Sequence, residues 1–137
     1  MHDWGGYSRW IQEGVDHALR SVWVAETFLR ERECPPDLLD LVLECIRLHH
    51  VGGPNRSIES VLLSDADALD FLGVVGVLRD FSKNTKDLRK AYEISKGRRD
   101  KLPDILCMDR SKKIAAERLE EMDELLTNFE RDSWGHF

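Results

Sequence analysis

The chain has 137 residues, of which 42% are hydrophobic and 34% charged, and carries a formal net charge of -6 at pH 7. That length suits one domain with a single sizeable core, and that composition excludes a disordered chain. There is no run of eighteen apolar residues and no leader-like N-terminus, so the expectation is a cytoplasmic protein without membrane association; the acidity argues against general nucleic-acid binding, because phosphate backbones recruit basic surfaces.

Three cysteines, Cys34, Cys45 and Cys107, lie far apart without CxxC spacing, which fits a reducing compartment and no thiolate zinc site. The N-terminal stretch MHDWGGYSRW opens on His2-Asp3 and a Gly-Gly turn. From Glu13 to Arg32, Ala18, Val22, Ala25 and Leu29 recur at helical spacing, and His17 stands beside that stripe near the helix start. Pro35-Pro36-Asp37 restarts the chain, with Pro36 and Asp37 suited to a first helical turn. Leu38 to His50 then reads as a mostly buried helix striped by Leu39, Val42, Leu43 and Ile46, stopped by Gly52-Gly53-Pro54. Its end delivers His49 and His50; consecutive helical residues point about 100° apart, so one of the pair is expected to face any given site.

Ser57 is the expected N-cap of a helix running to about Leu72. Its angular positions place Asp65 among Ile58, Val61, Leu62, Leu69 and Leu72, and Asp67 between Leu63 and Phe71, so both acids are expected to be buried. An ionised carboxylate in such surroundings costs several kcal/mol unless a cation, a metal or donors compensate it. Histidines lie just upstream, and imidazole plus carboxylate is a ligand set for a borderline divalent metal. Helix continues over Val74 to Phe81. From Arg79 to Lys101 nine Lys/Arg face four acids, a reversal of polarity that predicts either a solvated connector or a phosphate-binding mouth. Pro103 marks another break, and Lys112 to Arg131 is an amphipathic helix buried along Ala115, Leu119, Met122, Leu125, Leu126 and Phe129. No strand-period segment, repeat or glycine-rich phosphate loop occurs, so the fold class is all-α, a compact helical bundle.

In order along the chain, His2-Asp3, His17 in VDHALRSVWVA, His49 in IRLHH and DADALDFLG from Asp65 resemble the HD-domain superfamily of metal-dependent phosphohydrolases. The resemblance runs on through GVVGVLRDF and KLPDIL to SKKIAAERLEEMDELLTNFERD, which look like a subgroup of small bacterial and archaeal members. It implies a single HD-like domain over 1–137 and a divalent ion (Mn, Fe, Mg, Ni or Co) held by His2, Asp3, His17, His49 and Asp67, with Asp3 and Asp67 at the chemistry. Asp67 is preferred to Asp65 because it follows Ala66 in the AD of the recognition string, and His49 to His50 because it follows Ile46 by three positions. His50, Asp65 and Asp70 stand as alternates or supports, and Arg20 and Arg79 as receivers of substrate phosphate. The implied substrate is a nucleotide or another small phosphate ester. One departure is that the family's first metal histidine lies upstream of its doublet, so the chain is expected to be N-terminally incomplete relative to the family. That departure motivates the alternative of a catalytically impaired HD-like module that binds metal, nucleotide or a partner protein. Trp4, Tyr7 and Trp10 are then expected to be exposed and covered by upstream helices or by another subunit of a homo-oligomer.

Overall fold

The computed structural model describes residues 1–51, 53 and 55–137. Among them the expected all-α class is observed: a short 3-10 turn at Trp4–Gly6, then α1 (His17–Arg30), α2 (Pro36–Leu48), α3 (Ile58–Asp70), α4 (Gly73–Lys83), α5 (Leu88–Ile105) and α6 (Asp109–Asp132), with no strand. Among the described residues no helix is long and apolar enough to cross a membrane, and the three cysteines are free. The contacts divide the chain into two compact units, Met1–Ser64 and Asp65–Phe137, each with its own core.

In the first unit, Val22 and Ala25 of α1 pack on Leu39, Leu43 and Ile46 of α2, with Leu29, Cys34 and Val42 at the margin. These are the residues whose helical spacing predicts the two stripes. α1 starts later than Glu13 because Asp16, extended at ψ 136°, is its N-cap. The Asp16 carboxylate accepts from the backbone N–H groups of Ala18 at 2.9 Å and Leu19 at 3.1 Å, two of the donors that a helix start leaves unpaired. The Leu19 hydrogen bond, with help from nearby His17, holds that carboxyl below its ordinary pKa. α2 begins on Pro36 with Asp37 in its first turn, as its sequence predicts. Ser57 caps α3, its hydroxyl accepting from the Ser60 N–H at 3.2 Å. Of the Gly52-Gly53-Pro54 stop, Gly52 and Pro54 lie outside the described residues.

In the second unit, α4 packs against both α5 and α6 around Ala68, Leu72, Val77, Tyr92, Leu106, Ala115, Met122 and Leu126. Gly73 takes φ +81°, a left-handed turn natural to glycine, and separates α3 from α4. The basic stretch is not a connector. It forms the end of α4 and most of α5, anchored by buried Ala91, Tyr92 and Ser95. Three of its four arginines are held by acids: Arg79 by Asp70, Arg98 by buried Asp80, and Arg99 by both oxygens of Asp123 at 2.7 Å each. The Arg79 partnership is the main cause that holds Asp70 below its ordinary pKa. Pro103 breaks nothing: it lies inside α5, in the last turn, where neighbouring Leu102 and Ile105 pack against the core.

The two acids of α3 separate. Asp65 is 1% exposed, and its carboxylate accepts from the N–H groups of Cys107 at 3.0 Å and Met108 at 2.9 Å, immediately before α6. Donors and the positive end of a helix thus compensate the buried charge. Asp67 is only half-buried, contrary to the expectation; two helical residues on is a rotation of about 200°, which takes it off the face that buries Asp65. Asp65→Ala strands two backbone donors and is expected to destabilise the fold by about 2–4 kcal/mol, read from urea denaturation. The same loss is expected with and without added Mn, because this carboxylate is occupied by α6.

Candidate metal centre

Within the first unit three segments bring imidazole and carboxylate together. The first is the N-terminal turn, seated on the start of α1 by Gly5. The Gly5 N–H donates to the buried Ser21 hydroxyl at 2.7 Å. A Cβ at Gly5 would lie 2.2 Å from the His17 carbonyl oxygen and 2.8 Å from the Ser21 nitrogen, so only glycine allows this approach. Asp3, two residues earlier, is thereby set beside His17, the first residue of α1. The same docking corrects the expectation for the N-terminal aromatics. Trp4 and Trp10 are half-buried, Trp4 edge-on to Phe28 at 5.2 Å, and Arg20 donates from Nε to the Trp10 carbonyl at 2.7 Å; Tyr7 alone of the three is exposed.

The remaining segment is the end of α2. His49 is the C-cap residue and is 1% exposed. Its Nδ1 donates to the Ile46 carbonyl at 2.6 Å. A carbonyl only accepts, so Nδ1 carries the proton, and in the neutral ring Nε2 offers a lone pair; that atom is buried without a hydrogen-bond partner among the described residues. Arg56 steadies the following turn by donating to the carbonyls of Leu48 at 2.5 Å and Gly53 at 3.1 Å.

Donor atoms of Asp3, His17, His49 and His50 all lie within 4.8 Å of one another. Asp3 Oδ1 is 3.6 Å from His49 Nε2 and 3.8 Å from His17 Nε2, and the Nε2 atoms of His17 and His50 face each other at 2.5 Å. His17 Nδ1 stands 3.6 Å from Asp16 Oδ2, so the cap of α1 also orients this ring. His2 lies against the group, its ring edge-on to His49 at 5.0 Å and its Nε2 3.5 Å from Asp3 Oδ2. The expectation that one of His49 and His50 faces the site is overturned: both do. α2 ends at Leu48, and both residues lie in the turn closed by the Val51 N–H donating to the Leu48 carbonyl at 3.0 Å.

Asp65, Asp67, Asp70 and Arg79 belong to the second unit, where Asp65 and Asp70 have the partners described above and Asp67 contributes to the field that keeps Arg79 charged. Arg20, in the first unit, is tied to the Trp10 carbonyl. The supporting residues Gly5, Asp16, Ser21 and Arg56 carry no chemical signature in the sequence; Asp16 ahead of a helical stripe is the one readable sign, as an N-cap.

The donor set fits a divalent cation. Three imidazoles and a carboxylate suit a borderline ion, and a lone pair on a buried, partnerless Nε2 is the state in which histidine ligates. Bonds of about 2.0–2.2 Å place the donors of a tetrahedral ion about 3.4 Å apart, so shifts of about 1 Å, with His17 and His50 moving apart and the wider pairs closing, would bring all four donors into reach. Compared with protein-family models, curated proteins and solved structures, the chain has no match.

Proposed function

We propose that Asp3, His17, His49 and His50 hold a divalent metal ion, and that the chain hydrolyses a phosphate ester beside it, as an HD-type phosphohydrolase would. The observation that carries the reading is His49, whose proton is fixed on Nδ1 by Ile46 and whose buried Nε2 points into a group of metal-binding side chains. A bound ion supplies Lewis acidity, lowering the pKa of water and neutralising phosphoryl charge. Asp3 contributes negative charge and, with its side chain 50% exposed, keeps the group open to substrate from solvent. Asp16 and Ile46 orient the rings of His17 and His49. His2 flanks Asp3.

A second reading is favoured by the ligand count. Four protein donors complete a tetrahedral shell, the arrangement of structural rather than catalytic ions, and would make this a metal-binding module without turnover. Metal analysis of the purified protein, with assays of p-nitrophenyl phosphate and nucleotides in Mn, Mg, Ni or Co, separates the two. The expected result is turnover that EDTA abolishes and added metal restores. Retained metal without turnover selects the second reading, and absence of both sinks each of them.

A further inference from the structure

A cavity of about 720 Å³ in the first unit has walls of indole, phenyl and guanidinium: Trp4, Trp10, Trp23 and Phe28, with Arg9 and Arg32. Cavities of a few hundred to a thousand Å³ are the size that small organic ligands occupy. Its flat faces are already used for stacking on cations. The Arg9 guanidinium lies 4.5 Å from the Trp10 ring centroid, and that of Arg32 lies 3.6 Å from the Phe28 centroid. Trp23 stays 43% exposed along α1. Arg20 also lines the cavity, so three arginines stand there against one acid, Glu31, in a chain whose net charge is -6. Local positive charge beside stacked aromatic faces suits a flat ring that carries an anion. Chain geometry ties this groove to the metal group: Trp4 follows Asp3 directly, and Arg20 lies one helical turn beyond His17.

We infer that this groove is the binding site for the aromatic part of a phosphate ester, a ring such as a nucleobase stacked on the indoles with its phosphate charge met by arginine. The inference deepens the phosphohydrolase reading and rests on it only for what becomes of the bound ester. An extended nucleic-acid strand is disfavoured by the acidity of the chain as a whole.

Binding is measured by calorimetry and by quenching of tryptophan fluorescence in EDTA, where no hydrolysis occurs. The probes are AMP, phenyl phosphate, ribose 5-phosphate and adenosine. AMP is expected to bind about tenfold or more tighter than ribose 5-phosphate, which lacks the ring, and than adenosine, which lacks the charge. Phenyl phosphate is expected to bind more tightly than ribose 5-phosphate. Trp23→Leu and Arg9→Gln, both at exposed positions and both checked for unchanged helicity by circular dichroism, are each expected to weaken AMP about fivefold or more. Ribose 5-phosphate binding as tightly as AMP, or AMP binding unchanged in both variants, overturns the inference. AMP binding with this selectivity but without turnover in any metal supports the groove and overturns the phosphohydrolase reading. Equal metal-dependent kcat/KM for ribose 5-phosphate and AMP, with no selectivity in EDTA, overturns the groove and leaves that reading standing.

Discussion

His49→Ala is expected to abolish the stabilisation that a divalent metal gives the protein. At a metal concentration about a hundredfold above Kd, binding to the native state alone adds about 2.7 kcal/mol, which in a chain of this size raises Tm by roughly 5–15 °C. The variant's Tm is expected to stay flat across the same Mn titration. It also loses a buried ring and the hydrogen bond to Ile46, a cost of about 1–3 kcal/mol that appears with or without metal. Separating the two contributions is the point of the titration: a structural histidine predicts only the metal-independent loss. Asp70→Ala is the matching control, because Asp70 pairs with Arg79 in the second unit; its metal increment is expected to equal that of the parent chain. An increment surviving in His49→Ala would remove His49 from the site.

Gly5→Ala is the second large effect, and it acts at a distance from any ligand atom. The added methyl would meet the His17 carbonyl oxygen at 2.2 Å, with the Arg20 Cβ at 2.7 Å and the Ser21 nitrogen at 2.8 Å. Backbone atoms of a helix cannot move aside cheaply, so the N-terminal turn must lift off and release its hydrogen bond to Ser21. We expect a loss of about 3 kcal/mol in stability to urea, the upper part of the range for overpacking. Metal affinity is expected to fall about tenfold or more, because the group depends on Asp3 being held beside His17. Gly6→Ala, with nothing among the described residues within 4 Å of the added methyl, is expected to change stability by less than about 0.5 kcal/mol. Equal behaviour of the two variants would show that the turn is not fixed by its contact with α1.

The stripes of α1, α2 and α6 were legible because burial on a helix repeats every third or fourth residue, and that period survives in a single sequence. Pro36, Asp37 and Ser57 mark helix starts for equally local reasons. The errors lie where a distant partner decides. Asp65 looks like a candidate for metal chemistry until its two acceptor bonds to Cys107 and Met108, more than forty residues away, take up the charge. The basic stretch looks like a solvated connector until Asp70, Asp80 and Asp123 neutralise three of its arginines and Ala91, Tyr92 and Ser95 bury its inner face. Pro103 looks like a break because its effect on a helix interior is severe, but near a helix end little is lost.

By itself the sequence determined an all-helical chain, the positions of its apolar stripes, and a short set of imidazoles and carboxylates worth bringing together, because residue type and helical period are local properties. Only the tertiary structure decided which of them meet. Asp3 reaches His17 because Gly5 lets one backbone lie against another, and His49 and His50 both enter the group because α2 ends at Leu48. Close approach and the place where a helix stops are properties of packed surfaces, and no spacing along the chain encodes them.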